Sequence, residues 1–243
     1  MNIDNLAEKF YPVSPYIYAI NNPIYFIDPD GNDIKIGENT YSYQKNRDYS
    51  KYSEGFERDA YMALDYLYSS GAMSVIFGEG KDAKTVNILD SLINDKENTI
   101  TIEKGTNKTP HTFLSDKENK NNGKILFRGD LGTFFVKDLS KSFTRDNIGT
   151  NSPAGNLAHE LFHGYNKFND PNFQNRRDDN STAKTLFYRD GGQTDDVSYP
   201  NMEEQYNTTM TNQVLTKLRE DTRTNYMANP IPTQSPTSSS PRN

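Results

Sequence analysis

The sequence predicts an α+β fold, and three observations carry that expectation. Apolar residues recur at helical spacing in four separate stretches, several short runs bounded by Gly, Asn or Asp read as strands, and the two kinds of element interleave without an internal repeat. A chain of 243 residues with 33% hydrophobic content holds a modest core with long polar connections. With 16 Tyr, 13 Phe and no Trp, that core draws its aromatic bulk from tyrosine and phenylalanine.

Taken in order, residues 1–33 alternate aromatic residues with turn signals such as Asn22-Pro23 and Asp28-Pro29-Asp30-Gly31, and Tyr25-Phe26-Ile27 reads as a short strand. Residues 34–52 are polar and tyrosine-bearing and read as a linker. A new domain is expected over 53–228. Its first helix, within 53–71, follows from Phe56, Ala60, Leu64 and Leu67 between a capping serine and a terminal glycine. Residues 73–77 read as a strand and 86–93 as a helix, while 99–102, 124–127 and 133–136 read as strands. Ser152-Pro153 opens the next helix, a capping residue followed by a proline where a missing N–H costs nothing. Ala154, Leu157, Ala158, Leu161 and Phe162 supply its apolar stripe, and Gly164 reads as its stop or kink. A polar, loop-like passage over 169–196 precedes a final helix over 202–220. The tail 229–243, rich in Pro, Ser and Thr, is expected to be disordered.

The chemistry is concentrated in Leu157-Ala158-His159-Glu160-Leu161-Phe162-His163-Gly164. Two histidines four positions apart stand one turn above each other on a helix, so both imidazoles reach one tetrahedral metal ion, usually zinc. Glu160, between them, lies close enough to take a proton from water on that metal. With no cysteine in the chain, disulfides and thiolate ligands are excluded, and the ligands must be His and carboxylate. One Zn2+ per chain needs a third protein ligand. The remaining histidine, His111, sits in the loop-like stretch Thr109-Pro110-His111-Thr112 upstream of the motif and reads as a surface residue. Glu203 and Glu204, at the start of the final helix, are the better candidates, although an acidic pair there also suits the positive end of the helix.

The net charge of −6 argues against a nucleic-acid partner, and no Lys/Arg run suggests a lipid-surface patch. No apolar stretch approaches the length of a membrane span, and the N-terminus lacks the basic start and apolar run of a signal peptide.

Two resemblances add to this reading. The segment from Leu6-Ala7-Glu8-Lys9-Phe10 through Asp28-Pro29-Asp30-Gly31 resembles the end of the Rhs-repeat-associated core domain, with Asp4-Asn5-Leu6-Ala7 where the family has Asp-Pro-Leu-Ala. In that family a β cocoon encloses a variable C-terminal toxin. The resemblance implies that residues 1–33 are a core remnant, that the Rhs shell and a secretion system deliver the rest into a target cell, and that a cognate immunity protein exists. The second covers roughly residues 150–226. There the HExxH helix, then Glu204-Gln205-Tyr206-Asn207-Thr208, Thr211-Asn212, Arg223 and Tyr226 resemble the NleD-like effector zinc metallopeptidases. The family's second glutamate is Gln205 here, and its Thr-Glu-Asn lacks the glutamate.

That resemblance implies a zincin-like metallopeptidase domain, with Glu204 as the third ligand beside His159 and His163. It also implies Tyr226 or Arg223 as donors to the oxyanion; Tyr199 is a further possibility. The expected activity is hydrolysis of peptide bonds in a target-cell protein, with Glu160 as general base. Two other readings of the same residues are a zinc-stapled interaction module without catalysis, and a zinc amidase acting on a non-protein amide such as cell wall.

Overall fold

The computed structural model describes residues 33–138, 144–182, 186–188, 192–194, 199–226 and 228–242. The stretch 1–32, which carries the Rhs resemblance and the expected strand at Tyr25-Phe26-Ile27, lies outside the described residues.

The fold is mixed α+β, as expected. The chain opens with β1 (Ile34–Ile36) and β2 (Asn39–Thr40), then α1 (Phe56–Ser69), β3 (Ser74–Phe77), β4 (Lys84–Asn87) and α2 (Ile88–Ile93). Next come β5 (Thr99–Lys104), β6 (Thr112–Ser115), β7 (Asn122–Phe127), β8 (Leu131–Val136) and β9 (Ile148–Asn151). The last part holds α3 (Pro153–Asn169), α4 (Phe173–Asp178), β10 (Leu186–Tyr188), β11 (Gly192–Thr194), α5 (Met202–Leu218) and β12 (Ala228–Pro232). No described helix is long and apolar enough to cross a membrane.

A five-stranded sheet runs in the order β2-β1-β5-β7-β6, with parallel pairing from β1 to β5 to β7 and an antiparallel strand at each edge. Buried residues alternate along its central strands, which marks one face as the core face. That face carries Ile34, Ile36, Ile100, Ile102, Ile125 and Phe127, all at most 2% exposed. The helices α1 and α3 cover it with Ala60, Leu64 and Leu67 from the first and Leu157, Leu161 and Phe162 from the second. A second, antiparallel sheet has the order β12-β8-β9.

Several expectations are corrected here. Gly164 does not end its helix: α3 continues to Asn169. A Cβ at Gly164 would lie 2.4 Å from Ile100 Cδ1, so the glycine is what lets α3 press against β5. Residues 34–52 are not a linker either. They contribute β1 and β2 to the main sheet, and they close over a buried carboxylate. Asp65 accepts from Tyr41 Oη (2.9 Å), Arg47 Nε (2.6 Å) and Tyr49 Oη (3.0 Å). Arg47 also donates to Tyr52 Oη and to the Ser42 carbonyl, and it lies 4.4 Å from the centre of the Tyr61 ring. Tyrosines that read as polar connector are thus the partners of one buried ion pair.

A further correction concerns the tail expected to be disordered over 229–243: its described residues, 229–242, are ordered. β12 pairs with the whole of β8, from Ala228 opposite Phe135 to Pro232 opposite Leu131. Prolines are tolerated there because β12 is an edge strand. Beyond it Thr233 is fully buried, and the Pro236 carbonyl accepts the Ala154 N–H at 2.9 Å. The proline-rich tail therefore satisfies one of the orphan donors in the first turn of α3. Of the passage expected to be loop-like over 169–196, part forms α4, β10 and β11; residues 84–87, expected in part as helix, are a strand.

Replacing Asp65 by Ala leaves Arg47 buried without its counter-charge, and should destabilise the domain by about 3–5 kcal/mol. A urea midpoint within error of the parent's would show that the tyrosines alone hold this segment.

Candidate metal centre

The site is set up by the start of α3. Ser152 caps it by accepting the Gly155 N–H on Oγ (3.0 Å), and Pro153 occupies the first turn. The Ser152 N–H and Oγ–H in turn donate to Glu220, at 2.8 and 2.6 Å. Glu220 follows α5 directly, so its carboxylate locks the end of one helix to the start of the other. It also places negative charge at the positive end of α3. A Cβ at Gly155 would meet Leu215 Cδ2 at 2.8 Å, so this glycine sets how closely α5 approaches.

With the two helices antiparallel, the N-terminal turn of α5 faces the two histidines of α3. Glu204 Oε2 stands 3.2 Å from His159 Nε2 and 3.2 Å from His163 Nε2. These three ligand atoms lie within 4.8 Å of one another, and His159, His163 and Glu204 can hold a metal ion. The donor set fits a cation on geometry: a tetrahedral first-row ion with bonds of about 2.0–2.1 Å holds its ligand atoms about 3.3 Å apart. Protons agree. Thr211 Oγ1 donates to the Asn207 carbonyl (2.8 Å), so towards His159 Nδ1, 3.2 Å away, it acts as acceptor. Nδ1 therefore carries the proton of neutral His159, and the Nε2 lone pair points at a carboxylate oxygen. That tautomer is the one in which Nε2 can act as a metal ligand.

Glu203, the other member of the acidic pair, does a different job. It is 1% exposed, accepts from Asn166 Nδ2 (2.9 Å) and Arg176 Nε (2.6 Å), and lies 3.5 Å from His163 Nδ1. It stands behind the histidine, on the side away from Glu204, at ion-pair distance from the ring but without a formed hydrogen bond to it. Asn207 adds a hydrogen bond to the His159 carbonyl at 2.7 Å. Sequence reasoning missed Asn207 and Thr211 as site residues. Their signal is a polar stripe on α5, in which Glu204, Asn207, Thr208 and Thr211 recur at helical spacing and the last three are buried.

Glu160 is buried beside the triad, and its Oε2 accepts the main-chain N–H of Phe113 at 2.7 Å. Phe113 lies on β6, the edge strand, so its N–H points off the sheet rather than into the ladder. Oε1 of Glu160 accepts no hydrogen bond from any described residue.

Charge is arranged accordingly. Burial works against the charge on Glu204, yet His163 and His159 hold it well below the usual carboxylate range. Burial also disfavours a charged His163, but Glu204, Glu203 and Glu160 outweigh it and lift the imidazole to about 10 without a metal. His159 is shifted down, chiefly by burial.

Tyr226 and Arg223, expected near the reaction centre, follow α5 and come to its side. The Tyr226 ring centre is 6.4 Å from that of His159, and burial, with Glu204 and Glu160, pushes its hydroxyl pKa up. Arg223 is buried within electrostatic range of Glu160 and Glu204. Tyr199 is buried within range of Arg223.

His111 is corrected: it is not a surface residue. Its Nε2–H donates to the Leu131 carbonyl at 2.7 Å, and its Nδ1 is buried without a partner. Burial lowers its pKa to about 4. It pins the head of β6 to the start of β8.

No protein-family model, curated protein or solved structure matches the chain.

Two outcomes are expected. Glu203→Ala should weaken metal binding about 10–100-fold by releasing the His163 ring, while Glu204→Ala removes a ligand and costs more. Competition with a chromophoric chelator measures both, and an unchanged affinity in Glu203→Ala would deny Glu203 an orienting role. His111 takes a proton less readily in the folded chain, at about 4 against 6.5 when unfolded. Its contribution to stability is thus intact above about 6.5 and is lost as the pH falls towards 4. His111→Gln should flatten that part of the stability–pH curve, and a slope equal to the parent's would refute the assignment.

Proposed function

We propose that the chain is a zinc-dependent endopeptidase with a zincin-like fold, delivered into a target cell as the toxin part of an Rhs-type effector. The observation that carries the catalytic reading is Glu160. It is a buried carboxylate next to the ligand triad, held through one oxygen by the Phe113 amide, with no described residue donating to the other oxygen. A metal that only stapled two helices would need no such group. The delivery reading, with a cognate immunity protein as partner, is supported by the resemblance of the N-terminal segment to the Rhs core.

His159, His163 and Glu204 would hold zinc, chosen over softer or harder ions by two imidazoles and one carboxylate. When bound, zinc supplies Lewis acidity that acidifies water and polarises a carbonyl. The Phe113 N–H keeps Glu160 turned so that its free oxygen accepts a proton from the attacking water. The same group then passes the proton to the leaving amine. Tyr226, an O–H donor beside His159, supplies a hydrogen bond to the developing oxyanion. The free edge of β6 offers main-chain groups to an extended peptide, which suits a protein substrate better than a small amide.

Glu160→Gln keeps the size and the Phe113 contact but removes the base. The zinc-loaded variant should retain its metal and cleave a peptide library at least about 100-fold more slowly than the parent. Cleavage at the parent's rate would remove Glu160 from the mechanism. Metal bound with no cleavage of any peptide by the parent would favour the zinc-stapled module.

A further inference from the structure

We infer that Arg223 is the recognition group for a carboxylate of the substrate close to the scissile bond, an assignment that presupposes the metallopeptidase reading above. The carboxylate is the side chain of an Asp or Glu, or the C-terminus of a chain.

Arg223 is held by its backbone. Asn212 on α5 accepts its N–H at 2.9 Å and donates to its carbonyl at 2.7 Å. Both contacts use the main chain, which leaves the guanidinium free. The residue is 7% exposed, and its Nε is buried without a partner. None of its five N–H groups donates to a described residue.

Other arginines of the domain behave differently. Arg47 is paired with Asp65 at 2.6 Å, Arg176 with Glu203 at 2.6 Å and Asp170 at 2.7 Å, and Arg128 with both oxygens of Asp130. A guanidinium removed from water without a hydrogen-bonded partner is costly to the fold. Its retention is explained when the partner arrives with the ligand.

The groups facing Arg223 locate that ligand. Tyr226, Glu160, Glu204 and Tyr199 act on it, so it belongs to the metal centre's side of the fold. Neither carboxylate hydrogen-bonds to it. Glu204 is turned onto the two histidines, and Glu160 onto the Phe113 amide. His111, which also lies within range, is neutral and adds no competing charge. With Glu204 committed to the histidines and Glu160 to the Phe113 amide, the guanidinium has no acceptor among the described residues and is left to an anion brought by the ligand. The peptide main chain is neutral, and the anion a peptide brings is a carboxylate, of a side chain or of its C-terminus. A guanidinium meets it through two parallel N–H···O bonds.

The test uses the intact zinc-loaded chain and three peptide hydroxamates of equal length. One carries glutamate next to the hydroxamate and an amidated C-terminus. The second carries glutamine there and a free C-terminus, and the third carries glutamine and an amide. Calorimetric binding should favour one carboxylate probe over the neutral one by at least about tenfold. Which probe gains identifies side chain or C-terminus. Arg223→Gln should abolish the gain, and Arg223→Lys, which keeps the charge without the fork, should retain part of it. Equal binding of all three probes to a chain shown by elemental analysis to hold zinc overturns the assignment and leaves the metal centre standing. So does an Arg223→Gln variant that loses affinity equally for all three, which is the behaviour of a general oxyanion donor. A chain that takes up no zinc overturns the metallopeptidase reading itself.

Discussion

The antiparallel seam between α3 and α5 is the constraint on which everything else rests. It is a helix–helix interface whose buried side chains are largely polar, and three of the four buried polar residues of α5 hydrogen-bond within it or across it, Thr208 being the exception. Glu220 meets Ser152 at one end, and Glu203 meets Asn166 near the other. Between them Thr211 and Asn207 fix the ring and carbonyl of His159. An apolar interface could slide by a fraction of a turn at small cost. This one cannot, because any shift would strand buried donors and acceptors. The position of Glu204 over the two histidines follows from that register.

Around the seam, the fold contributes rigidity from elements that carry no chemistry. The sheet presses on α3 through Ile100 at Gly164, and the edge strand β6 reaches Glu160 through one amide. The tail returns along β8 and hands a carbonyl to the first turn of α3. The helix α3 is thus gripped at its start by Glu220 and Pro236, at its middle by α5, and on its inner face by the sheet. A site on a helix held in this way keeps its ligands within the tolerance that a metal demands.

The α3 helix was legible because all its signals are local: a Ser-Pro start, an apolar stripe and a His-Glu-x-x-His spacing that only a helix converts into geometry. The α1 and α5 helices and the strands β5, β7 and β8 were legible for the same reason. Residues 34–52 and 229–243 were not, since polar, tyrosine-bearing or proline-rich stretches earn order only from partners far along the chain. Tyr41 and Arg47 find Asp65, and Pro232 lies opposite Leu131. The loop histidine His111 misled likewise, because what buries it is the start of β8.

Sequence by itself determined the donor set of the candidate metal centre: two imidazoles and a carboxylate, because the chain has no cysteine and two of its three histidines stand one helical turn apart. It also narrowed the third ligand to an acidic pair. Neighbouring residues on a helix point about 100° apart, so only one of that pair can face the histidines from the front. Which one does so was decided by the tertiary structure, through the register of α5 on α3, which turns Glu204 to both Nε2 atoms and Glu203 to the back of His163. Only the assembled fold, likewise, shows that the Arg223 guanidinium is buried without a hydrogen-bond partner among the described residues, since the absence of a contact is a property of everything packed around a residue.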